Sequence, residues 1–90
     1  MKTVRAKISG TVQGVFFRKF IKEQADKLGL RGHVRNLDTG EVEVLAEGVN
    51  DKVNELMKIC RQGPPHSVIK NVNVMDLNHI GFDDFKILRV

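Results

Sequence analysis

The chain has 90 residues, of which 41% are hydrophobic and 29% charged, and its formal net charge is +4. This length suits one domain, spanning residues 1–90, and is too short for two. The sequence has no apolar run long enough to span a bilayer, and its N-terminus lacks the apolar centre of a signal peptide, so we expect a soluble, cytoplasmic protein with no membrane partner. The positive charge favours anionic partners, and nucleic acids and small phosphorylated molecules both remain possible partners.

The first strand leads into a glycine loop. Residues 3–9 alternate between polar and apolar, which predicts a half-buried strand, and the next nine residues read GTVQGVFFR (Gly10–Arg18). Two glycines four residues apart let successive backbone N–H groups converge, and no Ser, Asp or Asn precedes the following helix to cap it. With the guanidinium of Arg18, these features predict an anion cradle. A plain turn with a solvated Arg18 explains the same residues, so both interpretations stay open.

The next elements are a helix and a hairpin. Apolar residues at helical spacing predict a first helix that ends at Gly29, and residues 30–36 and 41–47 predict two strands joined by a turn. The second strand of this hairpin carries three glutamates on the parity opposite to its apolar residues, namely Glu41, Glu43 and Glu47. They could suggest a metal or general-acid site. We favour a solvated face on which they pair with basic neighbours such as Arg31 and Arg35.

Asn36 stands at the end of the first hairpin strand. It has the parity of Val34, which faces the predicted helices. Burying an amide on an apolar face costs free energy, so an amide at this position suggests a functional or capping role. The alternative is a turn residue, since asparagine is common beside turns such as residues 37–40.

The rest of the chain predicts a second helix and two strands. Asn50 or Asp51 is the predicted N-cap of the helix, which ends before Gly63 and has Cys60 on its inward stripe. Strands follow at 68–77 and 85–90. Cys60 is the only cysteine, so an intrachain disulfide and a multi-cysteine metal site are excluded, and we expect a small buried hydrophobe. His66 has no second ligand at a metal-like spacing, which is typical of a surface histidine. We predict no metal site and no cofactor.

This order of elements predicts an α+β fold, a ferredoxin-like α/β sandwich (βαββαβ). Two split crossovers place both helices on one face of an antiparallel sheet, and a short C-terminal strand follows. Such a fold hosts many functions, so the function has to be inferred from the loop and the polar groups near it.

Four blocks of the sequence carry a family resemblance. They are GTVQGVFFR (Gly10–Arg18), ADKLGL (Ala25–Leu30), GHVRN (Gly32–Asn36) and DTGEVE (Asp38–Glu43). In content, order and spacing they resemble the acylphosphatases, over essentially the whole chain. The chain departs from the family at His33, where a Trp is frequent, and at its end, Ile87–Val90, where an aromatic residue is frequent. Neither departure touches the residues to which the resemblance assigns catalysis.

The resemblance implies hydrolysis of the carboxyl–phosphate bond of small acyl phosphates, giving a carboxylate and inorganic phosphate. It implies that Arg18 binds the phosphate and that Asn36 orients the attacking water. The phosphate cradle would then be the backbone of Gln13, Gly14, Val15, Phe16 and Phe17. The substrate would be a small molecule, with no metal, no nucleic acid and a monomeric protein, and the acyl group itself is left unspecified.

The residues independently suit this chemistry. A carboxylate leaves without protonation, because its conjugate acid has a pKa of about 4. Oriented N–H groups and one arginine can therefore suffice. The alternative is a non-catalytic ferredoxin-like binding module, either an RNA binder or a regulatory domain. The central strands lack the stacking aromatic residues of RNA-binding sheets, and the absence of a CxxC motif argues against metal delivery.

Overall fold

The computed structural model describes residues 1–12 and 14–89, which form five strands and two helices in the predicted order. The elements are β1 (Lys2–Gly10), α1 (Val15–Lys27), β2 (Arg31–Asn36), β3 (Val42–Gly48), α2 (Asn50–Gln62), β4 (Ile69–Leu77) and β5 (Phe85–Ile87). The α+β sandwich predicted from the sequence is confirmed. The start of α2 differs from the prediction, because the helix begins at Asn50 and Val49 is its N-cap, without a side-chain capping bond.

Five strands form one sheet in the order β4-β1-β3-β2-β5. The first four strands pair antiparallel, as predicted, but β5 pairs parallel with β2, so the sheet is mixed. The reason is the path of residues 78–84. They leave β4 at the end of the sheet where β2 begins and cross to the opposite edge, so β5 has to start at that same end.

Both helices cover one face of this sheet. Alternate residues of β1, β2 and β3 are buried against them, and the same core includes the inward stripes of both helices. Its members from the strands include Val4, Ala6, Ile8, Val34, Val42, Val44 and Ala46, and those from the helices include Phe17, Ile21, Ala25, Val53, Leu56, Met57 and Cys60. In the described parts of the chain, no helix is both long and apolar enough to cross a membrane.

The other face of the sheet is not a solvated row of glutamates, and that prediction was wrong. Glu43 is only 2% exposed, because Arg5 (2.6 Å), Arg35 (2.7 Å) and His33 (3.0 Å) enclose its carboxylate. Burial would raise the pKa of Glu43, but hydrogen bonds from Arg35, His33 and Arg5 outweigh it and lower the pKa to about 2. The predicted partner Arg35 is therefore correct, whereas the predicted exposure is not. His33, at the position where the family often has Trp, also packs edge-on against Phe82.

Glu47 is also 2% exposed, and it anchors the crossing segment. Its carboxylate accepts hydrogen bonds from the backbone N–H groups of Ile80 (2.8 Å), Gly81 (2.9 Å) and Phe82 (3.1 Å) and from the hydroxyl of Thr3 (2.6 Å). Arg31, the partner expected from the sequence, instead points its guanidinium to the carbonyl of Phe82 at 3.5 Å. Glu47 thus holds the segment that delivers β5 to its edge of the sheet.

These two carboxylates predict a loss of stability in acid. Burial would raise the pKa of Glu47, but the hydrogen bonds donated by Thr3 and the three N–H groups lower it to about 2, as in Glu43. Because the ordinary pKa of a glutamate side chain is 4.5, the stabilisation is complete above that pH and is lost as the pH falls towards 2. We expect the urea midpoint to fall steadily over this range and the fall to be shallower in Glu47→Gln. An equally steep fall in Glu47→Gln would contradict the assignment to Glu47.

Candidate active site

The glycine loop begins where β1 passes close to the chain entering β4. Gly10 has φ 133°, and a Cβ on it would lie 2.0 Å from the carbonyl oxygen of Val68, so only glycine fits there. The next residue, Thr11, donates its N–H to the same carbonyl at 2.8 Å. These contacts fix the point from which the loop turns towards α1.

The end of the loop is an uncapped helix start. Gly14 is the N-cap of α1, with φ 118° and ψ 170°, and no side chain among residues 1–12 and 14–89 caps the helix. The first turn contains no acidic residue, so its N–H groups and the positive end of the helix dipole lack a side-chain anion. This arrangement is suited to binding an anion. Gln13, part of the predicted cradle, lies outside the described residues, and its role stays a prediction.

The three residues that follow Gly14 have different surroundings. Val15 is 72% exposed and Phe16 is 90% exposed, whereas Phe17 is buried in the core. Phe17 therefore anchors the first turn of α1, and the backbone of Val15 and Phe16 lies at the surface beside the loop. The exposure of Phe16 is unusual for a side chain of this size.

Arg18 lies on α1 one turn from the loop and is partly exposed. Its Nε donates to the carbonyl of Gly14 across 3.4 Å, a long and weak hydrogen bond that directs the side chain back towards the loop. The described residues offer the two Nη groups no hydrogen-bond partner. The ends of the guanidinium fork are therefore available to an anion.

Asn36 is the last residue of β2 and lies on the helix-covered side, as its parity with Val34 predicts. Its amide oxygen is buried and has no hydrogen-bond partner among the described residues. A buried polar atom without a partner destabilises a folded protein, and such atoms concentrate at functional sites. A water in the adjoining pocket could relieve this cost if the amide turned towards it.

One pocket of about 610 Å³ is lined by both Arg18 and Asn36. The other lining residues are Val15, Leu37, Asp38, Ile87, Leu88 and Arg89. Sequence reasoning missed the wall formed by the end of β5, because it depends on the parallel pairing of β5 with β2, which no local pattern encodes. The signal that could have indicated it was the alternation of Phe85 and Ile87, which marks an inward strand face near the C-terminus.

Other side chains that could take part in catalysis or metal binding lie outside the pocket of Arg18 and Asn36. Cys60 is fully buried, and burial raises the pKa of its thiol to about 12, so it is unreactive as predicted. Glu43 and Glu47 are engaged on the opposite face of the sheet. Among residues 1–12 and 14–89, no three His, Cys, Asp or Glu side chains stand close enough together to hold a metal ion.

Comparisons with known proteins place this geometry in a family. A family model described as Acylphosphatase matches residues 4–87. The chain is 44% identical over 89 residues to an acylphosphatase of Syntrophus aciditrophicus, covering 98% of this chain and 93% of that protein. It is 48% identical over 83 residues to an acylphosphatase of Caldivirga maquilingensis, covering 91% and 85%. Among solved structures, the acylphosphatase from Bacillus subtilis superposes with a TM-score of 0.93 at 36% identity, covering 99% and 100% of the two chains.

Proposed function

This chain belongs to the acylphosphatase family and hydrolyses acyl phosphates, and from that premise we propose that Arg18, Asn36 and the loop before α1 carry out the reaction. The observation that carries the assignment is that Arg18 and Asn36, which are distant in sequence, line the same pocket beside an uncapped helix start. The other site features follow from the chemistry of phosphoryl transfer.

The phosphoryl group binds between the loop and Arg18. Backbone N–H groups of Gly14, Val15, Phe16 and Phe17, with that of Gln13, donate to its oxygens, and the guanidinium of Arg18 donates from the side. In phosphoryl transfer the charge is spread over the three equatorial oxygens, so fixed donors around them stabilise the transition state. The uncapped first turn of α1 supports this role, because its donors need not leave a protein partner to bind the substrate.

Asn36 holds the attacking water. An amide cannot remove a proton at neutral pH, but it can position a water by accepting and donating hydrogen bonds. The unpartnered amide oxygen supports the assignment, since a bound water would supply the hydrogen bond that the protein does not. Asn36 therefore contributes through the orientation of the nucleophile.

The leaving group explains why no general acid is needed. The carboxylate departs as an anion, because the pKa of its conjugate acid is about 4. Neutralising the phosphoryl oxygens and aligning the water are then the main tasks, and backbone N–H groups, Arg18 and Asn36 perform both without a metal ion. An alkyl phosphate has a much more basic leaving group and should react far more slowly.

The substrates are small acyl phosphates. We further propose that the whole chain, residues 1–90, acts as one monomeric domain in the cytoplasm, without nucleic acid. Support for the single domain comes from one core that includes residues of β1–β3, both helices and β5. The face of β1 and β3 opposite the helices argues against RNA, because its side chains, which include Arg5, Lys7 and Leu45, contain no aromatic ring for base stacking.

The metal-independent reaction is tested with benzoyl phosphate in excess EDTA. We expect turnover to be unchanged by the chelator and to be inhibited competitively by inorganic phosphate. Phenyl phosphate, which has the same ring but a poorer leaving group, serves as the matched control and should be hydrolysed at least about 10³-fold more slowly. Loss of turnover in EDTA that is restored by a divalent cation would overturn the proposed mechanism.

A further inference from the structure

A second concave surface lies on the other side of the first turn of α1. Two adjoining cavities of about 330 and 420 Å³ share Phe16, Pro64 and Pro65 as their lining. Phe17 also lines the first and Phe20 the second. We call this surface the Phe16 groove. Phe17 and Phe20 also pack in or against the core, but Phe16 is 90% exposed and contributes little to it, so folding does not explain the position of its ring.

The wall of the groove is a fixed turn. Gly63 ends α2 with φ 74°, and a Cβ there would meet the side-chain oxygen of Ser67 at 2.4 Å. The hydroxyl and the N–H of Ser67 both bond the carbonyl of Pro64, at 2.6 and 3.2 Å. Between them, His66 has φ 69°, a conformation that is uncommon for a non-glycine residue and typical of a tight turn. The groove is therefore preformed, as ligand sites usually are.

The direction of the reaction points towards this groove. In an in-line displacement, the leaving group departs on the side of phosphorus opposite to the attacking water. Val15 and Arg18 line the pocket that contains Asn36, whereas Phe16 lines the groove and not that pocket. Val15 and Phe16 are consecutive residues of the first turn, so this turn borders both concave surfaces. A phosphoryl group held there, with its water near Asn36, directs its acyl group towards Phe16.

We infer that the Phe16 groove is a binding subsite for the acyl group, which selects acyl phosphates with an extended apolar chain or an aromatic ring. The inference rests on the proposed roles of Asn36 and the loop. The charges at the rim favour an uncharged occupant, because Lys19 and Glu23 have opposite signs and provide little net field. By contrast, the neighbouring pocket contains Arg18 for the phosphate.

The first measurement is a chain-length series. Acetyl, butanoyl, hexanoyl and octanoyl phosphate have leaving carboxylates of nearly equal basicity, so their intrinsic reactivities are matched. A methylene that is half removed from water in an open groove should raise kcat/KM about twofold, so the four additional methylenes from acetyl to hexanoyl phosphate should raise it roughly 15-fold. This increase in kcat/KM should come mainly from a lower KM. Hexylphosphonate, which cannot be hydrolysed, should inhibit more strongly than methylphosphonate by a similar factor.

Variants locate the effect. Phe16→Ser and Pro65→Ser should each flatten the dependence on chain length, and Phe16→Leu should retain most of it. Neither serine substitution removes a buried side chain, because Phe16 and Pro65 are both exposed. Met75→Ser is the matched control, since it removes another exposed apolar side chain, from β4, and should leave the dependence unchanged.

The outcomes separate this inference from the proposed function. A flat series with efficient turnover of acetyl phosphate overturns the acyl subsite and leaves the catalytic assignment intact. A dependence on chain length that persists in both serine variants also overturns it. If the series is flat and the protein dimerises in solution through Phe16, the groove is an interface between copies and the inference fails. Failure to hydrolyse any member of the series would instead refute the proposed function.

Discussion

Arg18→Ala is expected to lower kcat/KM for benzoyl phosphate by roughly 10³-fold and to abolish inhibition by inorganic phosphate. The reason is that this substitution removes the charged fork whose Nη groups have no partner among the described residues. In the proposed mechanism, this fork stabilises the negative charge of the transition state and binds the phosphate product. The measurement is steady-state kinetics with and without phosphate, together with thermal unfolding, which should change little because Arg18 is partly exposed.

Arg89→Ala is the matched control, because it removes the same charge from the same pocket. The general attraction of the pocket for an anion would be reduced equally in both variants, whereas the specific contact with phosphate would be lost only with Arg18. We expect Arg89→Ala to lose less than about tenfold in kcat/KM and to remain inhibited by phosphate. The kcat/KM of Arg18→Lys should lie between those of Arg18→Ala and the unchanged protein, since lysine keeps the charge without the planar fork. Equal losses in the two alanine variants would refute the role of Arg18.

Local patterns were sufficient to predict the elements and one face of the sheet. The alternation in β1 and β3, the helical spacing in α1 and the glycines around the loop all encode structure within a few residues. The inward parity of Asn36 followed in the same way. These features are predictable because the side-chain period of a strand or a helix decides which residues face the core.

Features that depend on distant segments were not predictable in this way. Glu43 and Glu47 have the parity of a solvated face, yet side chains and backbone N–H groups from other elements cover both carboxylates. The pattern gives the face of the sheet and does not reveal what lies over it. For the same reason Ile87, Leu88 and Arg89 were missed as pocket residues, since their position depends on how Glu47 directs residues 78–84 across the sheet.

Asn36→Ala is expected to lower kcat by roughly 10²- to 10³-fold while inhibition by inorganic phosphate stays within about twofold of the original. This split follows from the proposed separation of tasks, in which phosphate would contact the loop and Arg18, whereas Asn36 would contact only the water. Asn73→Ala, which removes an exposed amide from β4, is the control and should leave both constants unchanged. A parallel loss of phosphate binding in Asn36→Ala would show that the amide binds the phosphate itself, contrary to the assignment.

The stability of Asn36→Ala provides an independent test, because function and folding make opposite demands on this amide. Its buried oxygen has no hydrogen-bond partner among the described residues, so removing it relieves a desolvation cost of about 1 kcal/mol or more. This relief offsets the lost packing, and Tm should stay level or rise by about 4 °C. A catalytically impaired variant that is no less stable indicates a group kept for the reaction at the expense of the fold. A large fall in Tm would instead identify Asn36 as a structural residue whose loss disturbs the site indirectly.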